Sequence, residues 1–415
     1  MKEKSISYKG PLALLTALFF MWGLITSLND ILVPHLKSLF ALSYVQASLV
    51  QFSFFFAYFV MSYPAGKVVS KLGYKTGIIL GLLVAAVGCA LFYPAAALRS
   101  YPLFLLSLFI LASGLTLLQV AANPYVNSLG TADTAASRLN LTQAFNSLGT
   151  TVGPVLGGMF ILSAAVLGAD QIKQLQGDAL SHYYAAESAS VQMPYLLLTA
   201  ALILIALVIK FSKLPVLSNE TEQIQDGKDH SLWQKKHLVY GVIGIFAYVG
   251  AEVSIGSYLI SLLERPDIAA LSAIDASQKL SLYWGGAMVG RFIGSVLMTK
   301  IKANRLLAIN ALMVVLLIAL AIAVHNRFSM WAILAIGLFN SIMFPTIFSL
   351  ALNKLGVMTG RASGVLCMGI VGGALVPIVQ ALVADHLSLL ASFVVPLVCY
   401  LYIAWYGCQG YRPAH

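Results

Sequence analysis

Residues 213–236, KLPVLSNETEQIQDGKDHSLWQKK, are the one long hydrophilic stretch between the apolar runs of this chain, and their position decides how the rest is read. A transmembrane helix needs about 20 mainly apolar residues. Six such segments precede the stretch, at 11–34, 44–66, 75–98, 102–127, 138–166 and 194–212. Six follow it, at 238–263, 279–299, 304–324, 329–351, 361–384 and 387–408. The expected architecture is an all-α membrane protein of twelve transmembrane helices. An N-terminal six-helix half occupies 1–212, a cytoplasmic linker 213–236 and a C-terminal six-helix half 237–415. Two such halves about a linker is the layout of many secondary transporters, whose site lies between the halves near mid-bilayer.

Composition and charge agree with this layout. Of 415 residues, 60% are hydrophobic and 10% charged, a balance outside the range of soluble domains. Lys2, Lys4 and Lys9 precede an apolar run as in a secretory signal, but the run is too long, lacks a small-residue cleavage site and continues into Asn29 and Asp30. It reads as the first span. The net charge of +10 reports orientation. Of the 25 lysines and arginines, only Lys37, Arg99, Lys173, Arg265, Lys279 and Arg327 fall on the side opposite the N-terminus, and Arg291 lies within a span. By the positive-inside rule both termini are cytoplasmic in a bacterial-type inner membrane, and no nucleic-acid partner is implied.

Cys89, Cys367, Cys399 and Cys408 lie in or at the edges of spans without a CxxC pair or a histidine cluster, so they read as buried apolar residues. The chain has no HExxH, P-loop or GxSxG motif. Catalysis and ATP-driven pumping are therefore not expected. No cofactor is expected beyond a co-transported H⁺ or Na⁺, and the chain is expected to work as a monomer in the bilayer.

Of the 15 acids, only Asp30 and Glu252 sit well inside spans. An acid at a helix centre costs about 2.5 to 3.5 kcal/mol even on the lenient insertion scale, so each needs a partner or a purpose. Both are candidates for ion coupling, with Na⁺ near either one as the alternative to H⁺. A second polar set recurs at helical spacing: Gln119 and Asn123 in LQVAANPYVNSLG (118–130), and Asn140, Gln143 and Asn146 in RLNLTQAFNSLG (138–149). Amides both donate and accept, which suits the hydroxyls of a sugar, while interhelical glue is the plainer alternative. With Asn29 beside Asp30, the candidates for substrate binding are Asn29, Gln119, Asn123, Gln143 and Asn146, joined by the aromatic faces of Trp22, Tyr248 and Tyr283. Pro124 is expected to kink its span where a neighbouring helix satisfies the freed carbonyl. Lys71 and Arg291 are candidates for the inner gate.

A weak internal repeat relates YPAGKVVSKLGYKTGIILG (63–81) to VGRFIGSVLMTKIKANRLLAIN (289–310): close glycines, a short basic loop, then a new helix. Here the chain resembles the major facilitator superfamily, with Gly66, Lys71, Gly73 and Lys75 matching its loop signature and Ser70 standing where many members have Asp. The departure shifts the gate from an ion pair toward helix ends and Lys71. Together with SLNDILVPHLKSLF (27–40), YVGAEVSIGSYL (248–259) and FPTIFSLAL (344–352), these motifs resemble the fucose, galactose and glucose cation symporter family. The resemblance places the family's first-span acid on Asp30. It puts Gln119 where fucose members carry an acid, which points to the glucose/galactose branch, as does Glu252 in its AEVSIGS setting. It implies import of a neutral monosaccharide, glucose or galactose, by H⁺ or Na⁺ symport with alternating access. An exporter of sugars or amphipathic drugs on the same fold is the alternative, and a membrane receptor is a third class.

Overall fold

The computed structural model describes residues 9–39, 44–160, 177–215, 232–324 and 326–413. Among them the chain is helical throughout, without a strand. The first six helices are α1 (Lys9–Leu39), α2 (Tyr44–Leu72), α3 (Tyr74–Ala97), α4 (Tyr101–Ser128), α5 (Ala135–Phe160) and α6 (Asp178–Phe211). After the linker come α7 (Lys236–Glu264), α8 (Ala273–Leu297) and α9 (Ala303–Val324). The tenth pass is broken into α10 (Arg327–Asn340) and α11 (Met343–Ala351), and the eleventh into α12 (Thr359–Met368) and α13 (Gly372–His386). The last pass is α14 (Val394–Trp405), which runs into a π turn over Tyr406–Gly410.

Among the described residues, ten helical stretches are long and apolar enough to cross a membrane. The two passes that fall short of that measure are α5 and α8, which carry Gln143 and Asn146 and Arg291 respectively. Their polarity is explained by what they face.

The helix ends follow ordinary capping chemistry. Ser100 and Ser272 accept from the backbone of Leu103 and Asp275, and Asn326 with Ser329 forms a capping box ahead of α10. At the end that carries the linker, basic side chains close helix C-termini. Lys75 Nζ donates to the carbonyls of Lys210 (2.9 Å) and Ser212 (2.8 Å), and Arg138 Nη2 to those of Asn127 (2.6 Å) and Thr131 (2.9 Å). Some of the positive charge that marks this side in the sequence is thus also structural.

The basic loop expected after the second span is largely helix: α2 continues to Leu72 and Gly73 alone separates it from α3. With φ at 83°, Gly73 turns the chain through a conformation closed to other residues. Lys71 therefore sits exposed on the last helical turn of α2. Of the cysteines, Cys89 and Cys367 are buried as expected, whereas Cys399 is partly exposed and Cys408 exposed on the surface of the bundle.

Within the first six helices, α1 packs on α5 and α3 on both α4 and α6; among the later ones, α8 packs on α10 and α7 on α13. The two groups meet through α2 against α12 and α5 against α8. Several hydrogen bonds cross between them toward the linker end, among them three to oxygen acceptors. Ser137 Oγ donates to the Ser295 carbonyl (2.6 Å), Asn140 Nδ2 reaches Thr346 Oγ1 (3.3 Å), and Ser363 Oγ donates to the Val120 carbonyl (2.8 Å). The last answers a need created by Pro124. Lacking an N–H, Pro124 leaves the carbonyl four residues earlier without its helical donor, and that carbonyl belongs to Val120.

Candidate functional site

Between the two groups of helices, from mid-depth toward the end opposite the linker, lies a cavity of about 560 Å³. One wall is aromatic: Trp22 from α1, Phe54, Phe55 and Tyr58 from α2, and Phe344 from α11. Phe54 meets Phe55 edge-on at 6.1 Å and Tyr58 at 5.4 Å, so the α2 rings form a continuous surface. Gln119 of α4 and Gln143 and Asn146 of α5 face into the same space, as do Tyr248 and Glu252 of α7 and Arg291 of α8. At the far end Val50, Phe104, Leu108 and Tyr195 continue the lining.

The polar groups divide into those that are held and those that are free. Asn146 is fixed from behind, its Nδ2 donating to the Phe19 carbonyl of α1 at 3.0 Å. The side chains of Gln119 and Gln143 have no hydrogen-bond partner among the described residues, although they are 5% and 6% exposed. Two amides thus present unused donors and acceptors to a cavity with an aromatic wall. A neutral polyhydroxylated ring, with polar rim and apolar faces, matches that combination.

Across the cavity, Glu252 Oε1 accepts a hydrogen bond of 2.6 Å from Tyr248 Oη, one helical turn away on α7. Arg291 does not pair with it directly. Its Nε donates to the Ser341 carbonyl at 3.0 Å and its Nη1 to Ser147 Oγ on α5. The Ser341 carbonyl is available because the residue four positions on is Pro345. The same device therefore appears in the fourth and tenth passes, which occupy equivalent places before and after the linker. A proline frees a carbonyl, and a side chain from another helix takes it.

Several expected residues lie elsewhere. Tyr283 is fully buried behind the cavity, where Asn340 Nδ2 donates to its hydroxyl (2.8 Å) and Tyr400 Oη donates to Asn340 Oδ1 (2.6 Å). The ring whose face was expected to meet substrate is thus buried in that network and is not part of the cavity lining. Asn123 lies one turn below Gln119, wholly buried and off the cavity wall, because α4 there closes against α12. Lys71, a candidate for the inner gate and not for the cavity, is at the exposed, linker-side end of α2. Asn29 and Asp30 fall on α1, one turn past Thr26 of the cavity lining, but their side chains lie outside the described residues. Thr26, Phe54, Phe55, Tyr58 and Phe344 line the cavity without having been singled out by sequence. The clustering of Phe54, Phe55 and Tyr58 at one helical turn is the signal that marks such a face. Among the described residues no three His, Cys, Asp or Glu side chains come together as a metal site. A Na⁺ at Glu252 would thus have one acidic ligand from this set.

Comparison with known proteins adds a family. The model of the Major Facilitator Superfamily matches residues 14–377. A glucose/galactose transporter of Brucella abortus is 54% identical over 97% of this chain and 95% of its own length. A putative glucose/galactose transporter of Helicobacter pylori is 50% identical over 96% of both chains. The L-fucose-proton symporter of Escherichia coli is 37% identical over 96% of this chain and 93% of its own. Among solved structures, a variant of the E. coli fucose:proton symporter superposes with a TM-score of 0.91 at 35% identity, over 97% of this chain and 99% of that one. A structure of the same symporter in an outward conformation superposes with a TM-score of 0.89.

Proposed function

Because the chain belongs to the Major Facilitator Superfamily and to the family of its glucose/galactose transporters and fucose-proton symporters, we propose that it imports a neutral hexose, glucose or galactose, by symport with alternating access. The observation that carries this reading is that the unpartnered Gln119 and Gln143 amides and the aromatic side chains Trp22, Phe54, Phe55, Tyr58 and Phe344 line the same cavity. An amphipathic drug would leave those amides unanswered in a partly dry site, which is costly. The linker end faces the cytoplasm in this reading, with both termini on that side. Lys67, Lys71, Lys75, Lys210, Lys213, Lys300 and Lys302 gather there. The cavity is then loaded from outside while the cytoplasmic side is shut, and the two groups of six passes rock about the site in a single chain.

The coupled ion in this reading is H⁺. Among the described residues Glu252 has one hydrogen-bond donor, Tyr248, and it faces the cavity, a setting in which a carboxyl exchanges a proton without an oxygen cage. Asp30, on the outer stretch of α1 by its place in the chain, is the first acid within a span that an incoming proton would meet. The test is uptake of labelled galactose and glucose into proteoliposomes with pH and Na⁺ gradients imposed separately. Accumulation driven by the pH gradient alone is the expected result. Accumulation that requires Na⁺ would overturn the proton assignment, and absence of uptake would overturn symport.

Two substitutions probe the binding surface. Gln143→Ala and Asn146→Ala each leave a sugar hydroxyl unpaired at a cost of roughly 1 to 3 kcal/mol. Apparent affinity should fall about tenfold or more in each, read by equilibrium binding. Unchanged affinity in both would remove them from the site. Gln119→Glu places an ionisable group on the cavity wall, and sugar uptake should become more pH-dependent than in the parent across about pH 5.5 to 8.5. Parallel profiles would argue against contact between this position and the transported species.

A further inference from the structure

Beneath the cavity, the helices that meet across the two groups bury polar atoms to which nothing responds. Asn123, four residues beyond Gln119 on α4, is 0% exposed, and neither its Nδ2 nor its Oδ1 has a partner among the described residues. One turn further, Asn127 buries an unpartnered Oδ1. Asn127 also lines a groove of about 950 Å³ that lies between the two groups at the linker end. Gln119, Asn123 and Asn127 stand at steps of four on one helix and therefore form a ridge. That ridge begins at the substrate cavity and finishes at the opposite groove.

The helix of the second group that packs on α4 beside this ridge is α12. Ser363 holds the Val120 carbonyl from it, and Gly364 approaches α2 so closely that a Cβ there would collide with the Ser62 carbonyl. Dense packing around a primary amide normally supplies hydrogen bonds, since an unanswered polar group in an apolar setting is costly. An amide unanswered in one conformation has a reason to exist if a second conformation answers it. Such a group then favours that second conformation by the difference.

We propose that Asn123 and Asn127 form a second, release-stage subsite for sugar hydroxyls, buried in this conformation and uncovered when α4 and α12 part. The buried amide of Asn123 also biases the seal toward opening. The sugar passes from Gln119 down the ridge to the groove, meeting at each turn an amide able to donate to and accept from its hydroxyls. The proposal rests on the sugar-symport reading.

The test is Asn123→Leu, which keeps the side chain's approximate size and removes its polarity. Three measurements are made beside the parent in the full-length protein: equilibrium binding of labelled galactose, counterflow in proteoliposomes, and the thermal unfolding midpoint. The expected result is unchanged binding, a midpoint at or above that of the parent, and counterflow slower by about tenfold or more. Asn123→Gln should recover part of the counterflow. Counterflow equal to the parent's would overturn the proposal. A joint fall in binding and midpoint would do the same, by making Asn123 a structural residue. Should Asn123→Leu fail to fold, Asn123→Ala is read against the same expectations. Failure of the sugar-symport reading looks different, because the parent itself then neither binds nor exchanges galactose, and the midpoint comparison still decides whether Asn123 biases the seal.

Discussion

Asp30→Asn is expected to lose gradient-driven accumulation of sugar entirely, while labelled sugar outside still exchanges against unlabelled sugar inside. The substitution keeps the shape of the side chain and removes its charge. An ion can drive transport only if it binds one conformation more tightly than the other, so a chain without the ion's carboxylate retains exchange and loses concentrating power. Asp30 lies one turn past Thr26 on the outer stretch of α1, ahead of the cavity for an ion arriving from the far end. Glu252→Gln supplies the comparison. Its hydrogen bond from Tyr248 survives the change, because a glutamine oxygen still accepts. A milder coupling defect or a loss of sugar affinity is expected there. Continued accumulation in Asp30→Asn under an imposed pH gradient would transfer the coupling role to Glu252.

The second large effect is expected at Arg291. Its guanidinium spans from the Ser341 carbonyl, at the break between α10 and α11, to Ser147 on α5 across the interface. Arg291→Ala removes both bonds and leaves the Ser341 carbonyl without the donor that stands in for the Pro345 N–H. Losing a hydrogen bond to a charged group costs about 1.5 to 3 kcal/mol, equivalent to roughly ten- to hundredfold in the equilibrium between conformations. The closed linker end should open more often, read as faster labelling of a cysteine placed at Ala136 by a thiol reagent supplied from that end, in a background with Cys399 and Cys408 replaced by serine. Sugar exchange should fall with it, as the loaded outward state becomes scarce. Arg291→Lys should recover little, because an ammonium on a flexible stem does not reproduce a planar fork with two directed bonds. Labelling and exchange at parent levels in Arg291→Ala would make the residue a passive lining group.

The pattern of passes was legible in the sequence because it depends on length and hydropathy, which need no knowledge of neighbours. Gln143 and Asn146 were also legible, since amides at helical spacing in an apolar run are conspicuous, and the structure brings both to the cavity with Gln119, Trp22, Tyr248, Glu252 and Arg291. Tyr283 shows where that reasoning stops. Its hydroxyl is committed to Asn340, 57 residues away, and no local pattern distinguishes an aromatic that meets substrate from one that meets a buried amide. Lys71 was assigned to a loop because a basic cluster with glycines resembles one, yet a single glycine made the turn and left the lysine on a helix. The donors that answer Val120 and Ser341 were hidden for a similar reason. Pro124 and Pro345 announce that a carbonyl is free, but Ser363 lies 243 residues from Val120, and Arg291 lies 50 from Ser341.

Those two carbonyls differ from every ordinary one in a helix. A helical carbonyl is engaged for as long as its helix exists, and changing its partner means unwinding a turn. The carbonyls of Val120 and Ser341 are instead held by side chains, which reorient on the picosecond-to-nanosecond scale where they are free to move. The Ser363–Val120 contact, which joins the two groups toward the linker end, and the Arg291–Ser341 contact, which lies within the second group, are therefore exchangeable without melting any secondary structure. Releasing either carbonyl calls for movement of the side chain that holds it and not for local unfolding of the helix that carries it.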